Sequence, residues 1–298
     1  MPWRFIVAPR LNAAGRIDDI ALGIECLLAD DAARARELAD RLSALNAERR
    51  EMQSDMTGQA EASVREWISR QGAESLPFGL VLFEPDWHQG IVGLVASRLK
   101  DMLGRPVIAC APAGEGTDEV KGSGRSIAGF HLRDVLADVD SANPGLLARF
   151  GGHAMAAGLS LQRANLDAFA AAFDQAARRR LLPEQLDALL PTDGELGPDE
   201  FTLDLARQLR NAGPWGQAFP EPLFDGEFDI VGTRSIGDVH LRLKLRCRDV
   251  AAPLDAVLFN ADRCGPLPLR IRAVFQLEID DWDGTQALRL LIRHVEPL

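Results

Sequence analysis

The sequence contains no tyrosine, and its four cysteines are scattered without the short spacings that structural zinc sites need. Apolar neighbours around these cysteines predict reduced, mostly buried thiols and a cytoplasmic protein, not a disulfide framework. No apolar run reaches the roughly 18 residues of a membrane-spanning helix, so no membrane partner is expected. The N-terminal apolar run is short and broken by Pro9, which argues against a secretory signal.

Patterns that bind metals or build nucleophiles are also missing. No cluster of His, Cys, Asp and Glu has metal-ligand spacing, and no serine stands in the context of a nucleophile elbow. The formal net charge of −11 argues against non-specific attraction to nucleic acid over the whole surface, but it leaves room for a local basic groove. A length of 298 residues suggests about two domains.

Three regions follow from the patterning along the chain. Residues 1–74 carry a helix of about forty residues that starts after Asp31, long enough to act as a strut joining two bodies. Its apolar stripe consists of Leu38, Leu42, Leu45, Met52 and Met56 and is closed by Trp67 and Ile68. Residues 75–181 predict an α/β domain that opens with a strand–helix–strand unit over residues 80–111.

The third region, residues 186–298, begins with a proline-rich transition and a short helix near residues 203–211. From about residue 223 onward, five alternating strands and no convincing helix predict a small barrel. The strongest pattern in this region is HLRLKLRCRD, whose alternation places four cations on one strand face: Arg242, Lys244, Arg246 and Arg248.

Four adjacent cations repel one another unless an anion lies along them, and a phosphate backbone would supply that anion. LRIRAV repeats the arrangement with Arg270 and Arg272. A solvated or edge strand protected by its charge is the alternative reading. Without tyrosine, and with few phenylalanines on the polar face, base stacking is expected to be limited here.

Two further segments could bind an anion. KGSGRS predicts a loop that aims backbone N–H groups, Lys121, Ser123 and Arg125 at one phosphate, with a plain tight turn as the alternative. WHQGIVG follows a strand and precedes a helix, the position at which open α/β sheets bind ligands. The alternative there is that Trp87 packs in the core and His88 is merely exposed.

The N-terminal segment and the GGH segment leave similar choices open. Arg10, Asn12 and Arg16 in PRLNAAGRIDD could bind an anion, or the arginines could pair with the aspartates that follow. In RFGGHAMAAGLSL, the glycine pair could let His153 come close to a ligand, or the histidine could simply occupy a turn.

Five segments occur in the order found in RecJ-type single-stranded-DNA-specific exonucleases of the DHH phosphoesterase superfamily: PRLNAAGRIDD, WHQGIVGLVASRL, RPVI, KGSGRSI and FGGHAMAAGLSL. PWGQAFPEPLF resembles that family's entry into its oligonucleotide-binding (OB) barrel. The resemblance covers essentially the whole chain. It implies an α/β DHH-associated domain preceded by a long connecting helix and followed by an all-β OB-fold barrel.

The resemblance also implies functional residues. His153 would be the catalytic residue that faces the scissile phosphate, Ser123 and Arg125 would bind a terminal or adjacent phosphate, and Arg10, Asn12 and Arg16 would lie near the domain junction. The other expected substrate-binding residues are His88, Lys121, Ser126, Gly151, Gly152, Arg242, Lys244, Arg246 and Arg248. Such enzymes hold two Mn²⁺ or Mg²⁺ ions in a catalytic DHH domain that precedes the first motif. The sequence does not contain that domain, so no metal is expected in this chain.

The expected function is the substrate-binding part of a 5′→3′ single-stranded-DNA exonuclease that acts in DNA repair and recombination and has little activity alone. Expected partners are single-stranded DNA, a DHH catalytic domain in trans and single-stranded-DNA-binding protein. A non-catalytic nucleic-acid-binding or adaptor protein is the first alternative, but it would not need the GGH and GSGR motifs. A phosphodiesterase for short oligonucleotides or cyclic dinucleotides is the second. Such relatives carry a GGGH variant and lack the OB domain, which counts against it.

Overall fold

A computed structural model describes residues 6–114, 116–186, 190–216, 219–237, 239–248, 250, 252–261, 264–281 and 284–298. The chain forms two compact units, residues 1–188 and residues 189–298, and each has its own apolar core. No helix among the described residues is both long enough and apolar enough to cross a membrane.

Three helices open the first unit: α1 (Ala8–Ile17), α2 (Ala21–Leu28) and α3 (Ala32–Gln71). The Asp31 side chain accepts a hydrogen bond from the backbone N–H of Arg34 at 2.8 Å, so α3 begins at the predicted cap. The N-terminal half of α3 packs on α1 and α2, and its C-terminal half packs on the α/β core. Trp67 does not close the apolar stripe as expected, because 39% of its surface is exposed and its Nε1 donates to Ser75 Oγ.

The remaining regular elements of the first unit are β1 (Leu80–Phe83), α4 (Val92–Leu103), β2 (Val107–Pro112), β3 (Glu119–Arg125), α5 (Leu132–Ala142), β4 (Arg149–Gly152), β5 (Ala156–Gln162) and α6 (Leu166–Arg178). Short 3₁₀ turns span Ala73–Ser75, Arg163–Asn165 and Pro183–Gln185. The strands form one sheet in the order β1-β2-β3-β5-β4, in which only β1 and β2 run parallel. The predicted strand–helix–strand unit is therefore confirmed, with α4 as its crossover.

Alternation along the strands assigns each face of this sheet to different helices. Val107 and Ala109 of β2 pack in one core cluster with α3 and α4, whereas Ile108 and Cys110 pack in another with α5 and α6. The same alternation continues in β3, where the glycines of KGSGRS face the α5–α6 side. Both sheet faces are thus covered around β2, but by different parts of the chain.

The predicted KGSGRS loop is wrong, because all of its residues except Ser126 belong to strand β3, which pairs with β2 on one side and β5 on the other. A Cβ added to Gly122 would lie 2.8 Å from Leu159 Cδ1, and one added to Gly124 would lie 2.7 Å from Leu132 Cδ2. The two glycines therefore serve core packing and not loop flexibility.

The second unit consists of helix α7 (Leu203–Ala212) and strands β6 (Phe224–Ile236), β7 (His240–Cys247), β8 (Leu254–Leu258), β9 (Arg270–Asp280) and β10 (Ala287–Pro297). The strands close into a barrel in the order β10-β8-β7-β6-β9, which confirms the predicted five-stranded barrel. Its core includes Phe228, Leu243, Leu245 and Phe275, and Ala206 of α7 packs against them.

The cysteines are less buried than their apolar neighbours predict. Only Cys110 is buried, in the middle of β2, and burial raises the pKa of its thiol to about 12. Cys26 and Cys247 are half-buried and Cys264 is exposed. The prediction of mostly buried thiols is wrong because neighbours in sequence do not report which face of an element is covered.

Candidate nucleic-acid interface

The antiparallel ladder of β3, β5 and β4 sets polar side chains in rows on one face of the first unit's sheet. Residues directly opposite one another in such a ladder point to the same face. The register gives two full rows, Lys121–Ser160–Arg149 and Ser123–Gly158–Gly151, and it pairs Arg125 with Ala156. β4 ends at Gly152, and the backbone N–H of the next residue, His153, donates to the Ala156 carbonyl at 2.8 Å.

The middle of this face is a floor of small residues. A Cβ added to Gly151 would meet nothing within 4 Å, and one added to Gly158 would meet only the Gly122 carbonyl oxygen at 3.9 Å. Two strand spacings separate β3 from β4, about 10 Å. The floor is therefore open and wide enough for a sugar–phosphate backbone, with Ser123 and Arg125 on one side and His153 on the other.

Ser123 and Arg125 form a preassembled pair beside α4. The Arg125 guanidinium donates from Nη1 to Ser123 Oγ at 3.0 Å and to the Gly124 carbonyl at 2.8 Å. A Cβ on Gly93 would lie 2.9 Å from both Arg125 Nη2 and Ser123 Oγ, so glycine lets the first turn of α4 lie against the pair. The N–H groups of β3 are committed to its ladders, so the side chains and not the backbone can bind an anion.

Arg16 joins this pair from α1. Its Nη1 donates to the Gly90 carbonyl at 3.1 Å, and a Cβ on Gly90 would lie 1.9 Å from the Arg16 carbonyl oxygen, so only glycine permits this approach. Burial of the Arg125 guanidinium and, after it, the charge of Arg16 lower the pKa of Arg125. The structure thus brings together three residues that lie far apart in sequence: Arg16, Ser123 and Arg125.

The WHQGIVG segment places Trp87 in the core, as the alternative reading of the sequence predicted. Trp87 is buried in the core, where its Nε1 donates to Gln59 Oε1 at 2.8 Å. His88 is half-buried, and its Nδ1 accepts the Gly90 backbone N–H at 3.1 Å. His88 therefore fixes the turn whose carbonyl accepts from Arg16, so it supports the arginine through Gly90.

Two other expected site residues, Arg10 and Ser126, have side chains that are held by other partners. Arg10 donates from Nε to Ser43 Oγ at 2.9 Å, an α1–α3 contact, and Asn12 is exposed. Ser126 is 1% exposed and its hydroxyl donates to the Phe130 carbonyl at 2.6 Å. The expectation that Ser126 contacts substrate is corrected, because its hydroxyl is buried and holds the turn after β3.

Two charged residues beside the Arg16–Arg125 group, Lys121 of β3 and Asp18 after α1, each pair with an opposite charge. Lys121 pairs with Glu119 at 2.8 Å, and this contact lowers the pKa of the Glu119 carboxyl. Asp18 pairs with Arg41 at 3.0 Å, and not with Arg10 or Arg16. The alternative in which the N-terminal arginines pair with the following aspartates is thus wrong for both arginines.

The GGH segment is a tight β4–β5 hairpin. Gly152 has φ of +143°, and a Cβ there would lie 2.4 Å from the Ala156 carbonyl oxygen. Gly151, in contrast, faces open space, and His153 is exposed at the end of the edge strand. His153 is therefore a turn residue that is also accessible to a ligand on the floor.

The cationic face of β7 is confirmed, but carboxylates compensate part of its charge. Lys244 pairs with Asp255 of β8 at 2.8 Å, and Arg242 lies 3.5 Å from Asp255 and 3.9 Å from Asp280. Arg246 is exposed and lies opposite Asp229 in the β6 register, and the exposed Arg248 follows the end of β7. β7 lies between β6 and β8, so the edge-strand alternative is wrong.

Phe259 is a candidate stacking residue that sequence reasoning missed. Its ring is 51% exposed and meets His240 edge-to-face, with centroids 5.0 Å apart. Together with Arg234 and Arg242 it lines a cavity of about 830 Å³. The expectation of limited stacking overlooked Phe259 because it lies beyond β8. The signal available in the sequence was Asn260 directly after it, a residue type common in turns, and the φ of +55° at Asn260 is that turn.

The described residues include no group of three or more His, Cys, Asp and Glu side chains that could hold a metal ion. The sequence resemblance assigns the pair of divalent ions to a DHH domain and not to these residues.

Comparison with known proteins agrees with this architecture. Residues 77–179 match the DHHA1 domain model, and residues 192–294 match the RecJ OB domain model. The chain is 46% identical to the single-stranded-DNA-specific exonuclease RecJ of Dickeya dadantii and 43% identical to that of Escherichia coli. Each alignment covers 99% of this chain and 51% of the relative, so the chain spans about half the length of these curated relatives.

Solved structures of Thermus thermophilus RecJ are similar along the whole chain. The Mn²⁺ complex has a TM-score of 0.75 at 27% identity, covering 100% of this chain and 41% of that one. The Mg²⁺ complex has a TM-score of 0.74 at 28% identity, covering 100% and 44%. From its two matched domains, its curated relatives and its fold, the chain belongs to the RecJ family.

Proposed function

We propose that this chain is the substrate-binding part of a 5′→3′ single-stranded-DNA exonuclease that acts in DNA repair and recombination. The observation that carries the proposal is the open floor between β3 and β4, with the Ser123–Arg125 pair and Arg16 on one side and His153 on the other. A polar-edged floor without side chains of its own suits an extended strand and not a compact ligand.

In this proposal, Arg125 and Ser123 bind a terminal or adjacent phosphate. A guanidinium presents parallel N–H donors that match two phosphate oxygens, and Arg125 is already held in place by neutral acceptors. His153 lies in the turn after β4, on the other side of the floor, and donates a hydrogen bond to an oxygen of the neighbouring phosphate. Hydrolysis is assigned to divalent ions on a DHH domain, in the same protein or in trans.

The barrel also binds single-stranded DNA. Arg246 and Arg248 contact phosphates, and the exposed Phe259 ring stacks on a base, a contact that tolerates any sequence. OB barrels bind oligonucleotides on the face of their second and third strands, which correspond to β7 and β8.

The test combines binding and hydrolysis. Fluorescence anisotropy with a 3′-labelled oligo(dT) of about 12 nucleotides should show salt-dependent binding by the chain alone. With Mn²⁺ the chain alone should cleave little, and addition of a DHH domain from a relative should give cleavage that His153→Ala reduces. Robust Mn²⁺-dependent turnover by the chain alone would contradict the assignment of the metals. Binding without cleavage in the reconstituted mixture would favour the non-catalytic binding protein.

A further inference from the structure

Arg49 of α3 is a half-buried cation whose position is fixed by neutral groups. Its Nη1 donates to Gln53 Oε1 at 2.6 Å and its Nη2 donates to Asn46 Oδ1 at 2.9 Å. Asn46 is itself only 7% exposed. No carboxylate among the described residues pairs with Arg49, so the guanidinium is oriented while its charge stays uncompensated.

Arg49 lies close to the Arg16–Arg125 group. Ile17, next to Arg16, and Met52, one turn after Arg49, pack against the same core cluster as Ile91, next to Gly90. Burial and then the charge of Arg16 lower the pKa of Arg49, as they do for Arg125. The guanidinium groups of Arg49 and Arg125 are thus each within electrostatic reach of Arg16.

All three arginines use neutral acceptors. Arg16 donates to a backbone carbonyl, Arg49 to two side-chain amides, and Arg125 to a hydroxyl and a carbonyl. Carboxylates are abundant in this chain, which has 44 acidic and 33 basic residues, yet none is paired with these three in the described parts of the chain. Mutual repulsion between half-buried cations is relieved by a bound anion, so the arrangement favours one.

We infer that Arg49 is a further phosphate-binding residue, which contacts the strand from the side of the long helix while Ser123 and Arg125 contact it from the sheet and Arg16 contacts it from α1. The inference rests on the proposed function, because it takes the anion to be a phosphate of single-stranded DNA. It adds a residue from α3 that the sequence motifs do not include.

The experiment measures binding of 3′-labelled oligo(dT), with and without a 5′-phosphate, to the full chain. Arg49→Ala should weaken affinity about 10- to 100-fold, since one charged hydrogen bond is lost. It should also reduce the slope of log K against log salt by about 0.7. Arg50→Ala is the matched control, because it removes the same charge from the neighbouring, exposed position of α3. Arg49→Gln keeps a polar side chain beside Asn46 and Gln53, so equal losses in Arg49→Gln and Arg49→Ala indicate lost charge and not lost packing.

The two strands and the set of variants distinguish the possible results. A larger loss with the 5′-phosphorylated strand assigns Arg49 to the terminal phosphate, and equal losses assign it to an internal one. Both results support the inference. If Arg49→Ala and Arg50→Ala behave alike while Arg125→Ala still weakens binding, Arg49 is not a phosphate ligand and the proposed function stands. If the unsubstituted chain does not bind the strand, the proposed function itself fails.

Discussion

The α/β unit and the barrel both present arginine and lysine at alternating strand positions, yet Arg16 and Arg125 of the first differ from Lys244 and Arg272 of the second in the partners that hold them. In the α/β unit, Arg125 and Arg16 are held by hydroxyl and carbonyl groups. In the barrel, Lys244 pairs with Asp255, and Arg272 pairs with Asp225 at 2.5 Å. Neutral acceptors orient a cation without cancelling its field, whereas carboxylates cancel it.

This difference separates two uses of the same residue types. An oriented, uncompensated arginine is ready to bind an anion, because binding requires neither breaking an ion pair nor ordering the side chain. A paired cation on a barrel strand stabilises its cross-strand register and contributes little to steering a phosphate. A run of cations in sequence is therefore weaker evidence for a nucleic-acid site than one arginine with neutral partners.

The largest expected effect tests this contrast directly. Arg125→Ala should weaken single-stranded-DNA binding about 10- to 100-fold, because a charged hydrogen bond to phosphate is lost. Lys244→Ala should cost less than about threefold, because Asp255 already compensates its charge. Anisotropy titrations of the two variants under identical salt check the ratio. Equal losses would mean that charge pairing does not separate the two regions.

The next effect concerns barrel stability. The buried Asp225 carboxyl accepts hydrogen bonds from Thr192 and Arg272, and these contacts lower its pKa. Asp225→Asn should destabilise the barrel by about 1 kcal/mol, a value discounted for the half-exposed Arg272. Since the folded-state pKa is depressed, the stabilisation is present above the unfolded-state pKa of about 4 and is lost as pH falls through the folded-state value. Urea titrations at pH 7 and pH 3 should show a smaller difference between variant and parent at pH 3. A difference independent of pH would exclude this ionisation.

A smaller effect is expected at the α4 contact. Gly93→Ala would place a Cβ 2.9 Å from Arg125 Nη2 and Ser123 Oγ, so the pair must shift and affinity should fall several-fold. Gly58→Ala is the control, because a Cβ there meets nothing within 4 Å; it should leave binding unchanged and stabilise α3 by about 0.5–1 kcal/mol. Anisotropy and thermal melts of both variants test the pair. Unchanged binding by Gly93→Ala would show that the geometry of Ser123 and Arg125 is not needed.

The smallest expected effect goes in the opposite direction. Asp255→Asn removes the carboxylate that faces Lys244 and Arg242, so the barrel should come to resemble the α/β unit. Affinity for single-stranded DNA should rise about two- to fivefold, the range of one surface ion pair, with a steeper salt dependence. Lower or unchanged affinity in anisotropy titrations would mean that these cations do not face the strand.

Strand and helix positions were largely predictable, because they depend on local periodicity. The stripe of α3, the strand–helix–strand unit and the five barrel strands all follow from apolar spacing. KGSGRS was misread as a loop because glycines signal turns locally, whereas Gly122 and Gly124 are required by Leu159 and Leu132, which follow later in the chain. The burial of Ser126 and the exposure of Phe259 were missed because burial, too, depends on packing in the folded chain and not on the local sequence.

The sequence by itself determined the order of elements, the alternation of β7, and the presence of the GSGR and GGH motifs. Only the tertiary structure decided which polar side chains lie near one another, because the β3–β5 register pairs Arg125 with Ala156, whose carbonyl accepts the His153 backbone N–H. It also decided which cations are compensated, since pairing depends on distances between residues far apart in the chain. Arg49 shows this most clearly, because its position becomes informative only once α1, α3 and β3 are packed together.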